Sequence, residues 1–117
     1  RDTQSKLKAA GLPWERSKAF TGSALFSEFV TAPEDLSRLG VELEVDDAVR
    51  QKGDVSLMLY PPDVILKELH QFLVLEDFDI VMTGTPAGVG AVQAGERFCG
   101  RVLHGEQELV SGAWLAQ

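Results

Sequence analysis

The feature that most constrains the fold is the segment DIVMTGTPAGVG, residues 79–90, in which a short apolar run meets a glycine-rich loop. Residues 79–82 predict a buried strand, because short apolar runs bounded by turn signals are typical of strands. Three glycines, a proline and two threonines follow within the next eight residues. We therefore expect a rigid strand followed by a permissive backbone, with the hydroxyls of Thr83 and Thr85 held at the junction.

This loop differs from the known phosphate-binding motifs. A Walker A loop needs Lys followed by Ser or Thr after its last glycine, whereas Ala91 and Val92 follow Gly90. The glycine spacing also differs from the dinucleotide fingerprint, and Pro86 argues against a helix that opens there. Two interpretations stay open: backbone N–H groups that turn towards an anion, or a tight connection with glycines at positive φ, which the pattern alone favours.

Composition restricts the class of protein. A chain of 117 residues fits one domain that is large enough to bury a core. No apolar run approaches the roughly 20 residues that span a bilayer, and 11 Lys and Arg against 18 Asp and Glu give a net charge of −7. We expect neither a membrane nor a nucleic-acid partner, since an acidic chain repels phosphate backbones. A single cysteine, Cys99, fits a cytoplasmic protein and is expected to be a small core residue.

Strands with a few inserted helices are predicted for the remaining chain, which indicates an α+β fold and not a doubly wound one. We expect helices at residues 2–10, with Asp2 as the N-cap and Gly11 as the stop, at 33–39 for one turn, and at 61–72. The alternation in residues 41–51 predicts a hairpin whose turn, Asp46-Asp47, lacks glycine and is therefore expected to be longer than two residues.

Two further strands are expected at residues 97–103 and 108–115, joined by a turn at residues 104–105. Residues 14–30 are expected to be irregular, with short strands. Four aromatic side chains in this segment are expected to anchor it on the core, namely Trp14, Phe20, Phe26 and Phe29.

Several residues that suggest chemistry have simpler explanations. Glu42 and Glu44 share one face of a strand, but Val41, Leu43 and Val45 alternate with them, so we expect the glutamates to face water and not a metal. His70 and His104 lack nearby metal-ligand partners in the sequence and are expected to be surface or capping residues.

Two segments of the sequence resemble the signatures of the fumarylacetoacetate hydrolase family. RDTQSKLKAAGLPWERSKAF at residues 1–20 resembles its first signature, with a helix, a Gly-Leu-Pro-Trp stop and a lysine-bearing strand, and residues 79–90 resemble its second. The resemblance is closest to the acylpyruvate hydrolase and oxaloacetate decarboxylase branch and runs along nearly the whole chain. It implies that residues 1–117 are the C-terminal part of a single catalytic domain, a mixed β-roll that lacks its N-terminal side.

The resemblance also implies roles for individual residues. Arg1 and Gln4 match residues that orient the carboxylate and carbonyl oxygens of the substrate. Lys18 matches a catalytic lysine at the metal-bound substrate, and Gly84 and Thr85 match the residues that bind the substrate's carboxylate. The metal would be Mg²⁺ or Mn²⁺, with all of its ligands upstream of Arg1, so we expect no metal ligand in this chain and no activity from the chain alone.

By the same resemblance, we expect an enzyme that cleaves a carbon–carbon bond in an acylpyruvate or a related 2-keto dicarboxylic acid and forms a homodimer. An isomerase or decarboxylase of aromatic catabolism stays open, as does a non-catalytic truncated paralogue that binds carboxylates or pairs with another subunit. The chain departs from the family pattern at turns: Ala24-Leu25 replaces a small residue followed by proline, Asp46-Asp47 replaces Asn-Gly, and Phe78 replaces a glycine.

Overall fold

A four-stranded antiparallel sheet is the main element of the computed structural model, which describes residues 2–117. Its strands are β1 (Leu39–Val45), β2 (Ala48–Asp54), β3 (Arg97–His104) and β4 (Gln107–Leu115), in the order β2-β1-β3-β4. Both predicted hairpins are therefore confirmed, and so is the α+β fold.

Five helical segments connect to or precede these strands. Two are α-helices, α1 (Asp2–Ala9) and α2 (Pro62–Leu69), and three are single 3₁₀ turns at Glu15–Ser17, Leu36–Arg38 and Val55–Leu57. All three predicted helices are present. Residues 14–30 are irregular as expected, although the short strands predicted there are absent and Lys18 follows a 3₁₀ turn instead of lying on a strand.

Gly11 ends α1 in a Schellman arrangement. Its φ of 65° is left-handed, its N–H donates to the carbonyl of Lys8, and the N–H of Leu12 donates to the carbonyl of Leu7 at 2.9 Å. The stop at Gly11 is confirmed. The N-cap assignment of Asp2 is wrong, since Asp2 lies within the first turn of the helix, and the preceding position lies outside the described residues.

The end of α2 was placed too late by the sequence. The helix ends at Leu69, and His70 follows as its C-cap. The Nδ1 atom of His70 lies 2.7 Å from the carbonyl oxygen of Leu66, and Nε2 of His104 lies 3.0 Å from the carbonyl oxygen of Asp35. Both histidines therefore bond to backbone carbonyls, which confirms the capping interpretation.

The β1–β2 turn has two residues, so the prediction of a longer turn is wrong. Val45 pairs with Ala48, and the two residues between them, Asp46 and Asp47, have φ values of 50° and 65°. Asp46 compensates for this conformation by pairing with the backbone of Arg97: its carboxylate accepts from the Arg97 N–H, and its own N–H donates to the Arg97 carbonyl. Aspartate tolerates the left-handed region because its short side chain can bond locally.

Glu42 and Glu44 do not face water, which corrects the sequence interpretation. Their side chains are only 12% and 20% exposed. The guanidinium of Arg101 on β3 bonds to both carboxylates at 2.8–2.9 Å, and Lys52 on β2 lies 2.9 Å from Glu42. Alternation on β1 predicted that both glutamates share a face, but cross-strand partners decide what covers that face.

The described residues contain almost no buried core, contrary to the expectation from length. Val45, 4% exposed, is the one hydrophobic residue among them that is buried, and Cys99 is only half-buried. The chain exposes 9306 Å², compared with about 6,300 Å² expected for a compact monomer of its mass. The four aromatic residues that were expected to anchor residues 14–30 on a core are all exposed, namely Trp14, Phe20, Phe26 and Phe29.

The strand predicted at residues 79–82 is absent. Ile80 and Met82 are exposed, and Asp79 instead closes a local turn in which its carboxylate accepts from the N–H of Glu76. A strand needs a ladder partner, and no neighbouring strand of the described residues pairs with this segment. Phe78, which replaces a family glycine, has a φ of 76° and is 99% exposed.

Candidate functional site

An apolar cleft of about 650 Å³ lies between the sheet and the glycine-rich loop. Its floor comes from Val41 of β1, Gly53 of β2 and Val102 of β3, and its sides come from the 3₁₀ turn at Val55–Leu57, from α2 and from residues 83–87. This volume is in the range of small-molecule sites, which are typically apolar clefts with a few polar groups. Gly84 and Thr85 line this cleft together with Thr83.

The loop is held closely against β2. A Cβ atom on Gly53 would lie 3.0 Å from the side chain of Pro86, and a Cβ atom on Gly88 would lie 2.1 Å from the carbonyl oxygen of Arg50. Gly88 has a φ of 100°. Glycine at residue 88 is thus required by a close backbone approach and by positive φ together.

A β-bulge in β2 creates this contact. Leu43 of β1 pairs with Gln51, but the next residue, Glu44, pairs with Val49, which leaves Arg50 as the extra residue. The carbonyl of Arg50 then lies beneath the loop at Gly88. Bulges are frequent next to active sites because they re-aim the groups around them.

Gln51 joins the bulge to the loop by hydrogen bonds. Its side-chain amide donates to the carbonyl of Pro86 at 3.0 Å and to that of Ala87 at 3.4 Å, across 35 and 36 residues of sequence. Because Gln51 pairs directly with Leu43, it lies on the face that carries the apolar residues of β1. A polar residue in that register was the signal that could have identified it, and sequence reasoning missed it.

Gly84 and Thr85 are free to receive a ligand. Gly84 has a φ of 134°, and a Cβ atom built on it would have no neighbour within 4 Å. Thr83 and Thr85 are both exposed at the cleft. The interpretation of tight packing is therefore correct at Gly88, whereas the segment at Gly84 leaves open space beside its backbone.

Asp54 is the acidic residue of the cleft, and it acts as a helix cap. Its carboxylate accepts from the hydroxyl of Ser56 at 2.5 Å and from the Ser56 N–H at 2.8 Å. The Ser56 hydroxyl is the main reason that the pKa of Asp54 lies below its ordinary value, and the backbone N–H adds to it. A carboxylate with a lowered pKa is a poor proton carrier near neutral pH, so Asp54 starts the turn at Val55–Leu57 and is not a candidate acid or base.

Gln4 and Lys18 lie outside the cleft. Gln4 is a half-buried residue of α1, and Lys18 follows the 3₁₀ turn Glu15–Ser17. The ammonium groups of Lys8 and Lys18 lie 4.8 and 5.5 Å from the centre of the Trp14 ring, which keeps both cations beside an aromatic face. Of the predicted site residues, the structure therefore brings Gly84 and Thr85 together, while Arg1 lies outside the described residues.

Residues 2–117 do not fit a divalent metal. Within that range, no group of three or more His, Cys, Asp or Glu side chains is arranged to hold one. Glu42 and Glu44, the pair with metal-like spacing, are neutralised by Arg101 and Lys52 instead. None of the helices within residues 2–117 has the length and the apolar character needed to cross a membrane.

The chain matches the family profile described as fumarylacetoacetate (FAA) hydrolase C-terminal over residues 1–110. It is 38% identical over 99 residues to the oxaloacetate tautomerase YcgM of Escherichia coli, which covers 82% of this chain and 45% of that protein. It is 39% identical over 95 residues to the human mitochondrial oxaloacetate tautomerase FAHD1, which covers 80% of this chain and 43% of that protein. The chain thus spans less than half the length of these curated relatives.

Two solved structures show the same fold over the whole chain. A protein of Oleispira antarctica, described as a fumarylacetoacetate isomerase/hydrolase, is 30% identical with a TM-score of 0.87, and 54% of it is covered. The fumarylpyruvate hydrolase of Pseudomonas aeruginosa, solved with Mn²⁺ and pyruvate, is 30% identical with a TM-score of 0.71, and 50% of it is covered.

Proposed function

The chain belongs to the fumarylacetoacetate hydrolase family, and from this premise we propose that residues 1–117 form the C-terminal part of a catalytic domain that converts a small 2-keto acid through its enolate. Oxaloacetate is the first candidate substrate, and its keto–enol interconversion is the first candidate reaction. The observation that carries this choice is the identity of 38–39% to two oxaloacetate tautomerases, over four fifths of the chain.

The residues of this chain would bind and orient the substrate. Gly84, with its open backbone, and Thr85, with its hydroxyl, line the cleft, where they would donate hydrogen bonds to the substrate's carboxylate. Gln4 and Arg1 would orient its oxygens, as the family resemblance implies. The rest of the cleft is mostly apolar and would exclude water from the bound acid.

The family resemblance implies that Lys18 would stabilise charge that develops in the reaction, although in this structure Lys18 is exposed beside Trp14 and lies outside the cleft. Enolisation transfers a proton from the carbon next to the 2-keto group to a base, which the rest of the domain or water would supply, and moves negative charge onto the former carbonyl oxygen. A fixed cation lowers the energy of that charge most where water is excluded. The divalent metal that we propose for the complete enzyme would need ligands outside residues 2–117, and the Mn²⁺ in the fumarylpyruvate hydrolase structure supports that proposal for the family.

Carbon–carbon cleavage of an acylpyruvate is the second candidate reaction. The similarity in fold to a fumarylpyruvate hydrolase favours it, at 30% identity. Both reactions pass through an enolate and need the same carboxylate contacts, so the proposed roles of Thr85 and Lys18 serve either one.

Pairing of two copies is also proposed, because the chain exposes about 3,000 Å² more than a compact monomer of its mass. A second copy and the rest of the domain would cover this extra surface.

Thr85→Val tests the carboxylate site in the complete polypeptide that carries these residues, with Thr83→Val as the matched control at the same cleft. Valine has the shape of threonine but lacks the hydroxyl. A hydrogen bond to a charged group contributes about 1.5–3 kcal/mol, so the KM for oxaloacetate should rise about 10-fold or more in Thr85→Val. Equal KM values in the two variants would contradict the assignment.

Lys18→Ala tests the proposed catalytic cation, with Lys8→Ala as its control because both lysines lie over the Trp14 ring. We expect kcat to fall at least about 10-fold in Lys18→Ala, which is about 1.4 kcal/mol of transition-state stabilisation. Lys8→Ala should leave kcat nearly unchanged. Equal losses in both variants would mean that the lysines only support Trp14.

A further inference from the structure

Gln51 is the residue that connects the sheet to the proposed carboxylate-binding loop. It lies on β2, an edge strand, immediately after the bulged residue Arg50. Its amide donates to two consecutive carbonyls of the loop, those of Pro86 and Ala87. Pro86 and Ala87 follow Thr85 directly in sequence. The amide therefore restrains the backbone one and two residues after the proposed carboxylate-binding residue.

We propose that Gln51 is a positioning residue for the carboxylate-binding loop, and this inference rests on the proposed function of Thr85. The loop begins at Gly84, which has open space beside its backbone and a φ of 134°, a value that residues with a side chain rarely adopt. Such a segment needs an external restraint if its N–H groups and hydroxyl are to keep one orientation. The Gln51 amide supplies that restraint from the sheet.

Two packing contacts on the same strand support the restraint. Gly53 lets the Pro86 ring approach the sheet, and Gly88 lets the loop cross the carbonyl of Arg50. The hydrogen bonds of Gln51 add a directional restraint to this packing, because the carbonyls of Pro86 and Ala87 must point at the amide.

A dedicated positioning residue predicts a specific kinetic signature. If Gln51 orients the loop before substrate binds, its loss should weaken binding of the carboxylate in the ground state and in the transition state equally. Uniform weakening raises KM and leaves kcat unchanged. A residue needed only for folding would instead lower the amount of active protein, which lowers the apparent kcat at constant KM.

The test uses Gln51→Met in the complete polypeptide, with Gln71→Met as the control at an exposed glutamine. Methionine keeps the length of glutamine but removes both donors. We expect lower NMR order parameters for the backbone N–H groups of residues 83–90, and a KM for oxaloacetate raised at least about 5-fold at nearly constant kcat. Gln71→Met should change neither quantity.

Gly53→Ala is the second variant, in case Gln51→Met does not fold. Its Cβ atom would lie 3.0 Å from the side chain of Pro86 and should displace the loop from the strand, which raises KM in the same way. Unchanged order parameters in Gln51→Met would overturn the inference, as would lowered order parameters with an unchanged KM. Wild-type protein that converts neither oxaloacetate nor an acylpyruvate would overturn the proposed function instead, and the order parameters of residues 83–90 would still decide whether Gln51 restrains the loop.

Discussion

Gly88→Ala should destabilise the protein more than an ordinary glycine substitution, because residue 88 combines two constraints. Its φ is 100°, and its Cβ atom would lie 2.1 Å from the carbonyl oxygen of Arg50, which is backbone and cannot rotate away. Gly95→Ala is the matched control: its φ is 91°, and its Cβ atom would have no neighbour within 4 Å.

The two variants separate conformational strain from steric contact. Backbone strain at positive φ costs about 1–3 kcal/mol and should be similar at both positions. Overpacking adds about 1–3 kcal/mol, and only Gly88→Ala should show it. The free energy of unfolding of Gly88→Ala should therefore lie about 1–3 kcal/mol below that of Gly95→Ala.

Urea denaturation of both variants and of wild type measures this difference directly, with the free energies compared at a shared m-value. If the two variants unfold at the same urea concentration, the loop does not cross the bulge at Arg50. The account of the cleft, and with it the restraint by Gln51, would then be wrong.

Two further predictions concern the departures from the family pattern and the charged face of the sheet. Phe78→Gly should raise the free energy of unfolding by about 0.5–1 kcal/mol in urea denaturation, because Phe78 is 99% exposed at a φ of 76° and glycine removes that strain. The hydrogen bond from Lys52 is the largest cause that keeps the pKa of Glu42 below its ordinary value of 4.5. The stability that Glu42 contributes is therefore present above pH 4.5 and is lost as the pH falls through the lower pKa of the folded state. Lys52→Met should therefore lose less stability on acidification than wild type, as seen in urea midpoints across a pH series; an unchanged pH dependence would contradict that pairing.

Local chemistry made much of the fold predictable. Gly11 ended α1, proline started α2, and alternation predicted the β1–β2 hairpin, because each of these signals acts through a few neighbouring residues. The prediction of a strand at residues 79–82 was wrong for the opposite reason. An apolar run alone does not make a strand, because a strand also needs a partner, and a partner is a property of the whole fold.

The candidate site was only partly predictable. Thr85 and Gly84 were predicted as site residues from the second signature, and both line the cleft, while their role in binding stays a prediction. Gln51 was missed because its polar side chain becomes a signal only once the register of β2 is known, and the bulge that shifts this register by one residue leaves no local pattern in the sequence. The environment of Glu42 was misread for a related reason, since the sequence of β1 does not show which strands will lie beside it.

The most direct test of the central claim is the rate of keto–enol interconversion of oxaloacetate by the complete polypeptide, measured with added Mn²⁺ or Mg²⁺ and again after chelation. The account predicts metal-dependent acceleration that Thr85→Val weakens through KM. If neither oxaloacetate nor an acylpyruvate reacts faster than in buffer with either metal, the protein is not an enzyme of 2-keto acids and the proposed function is wrong.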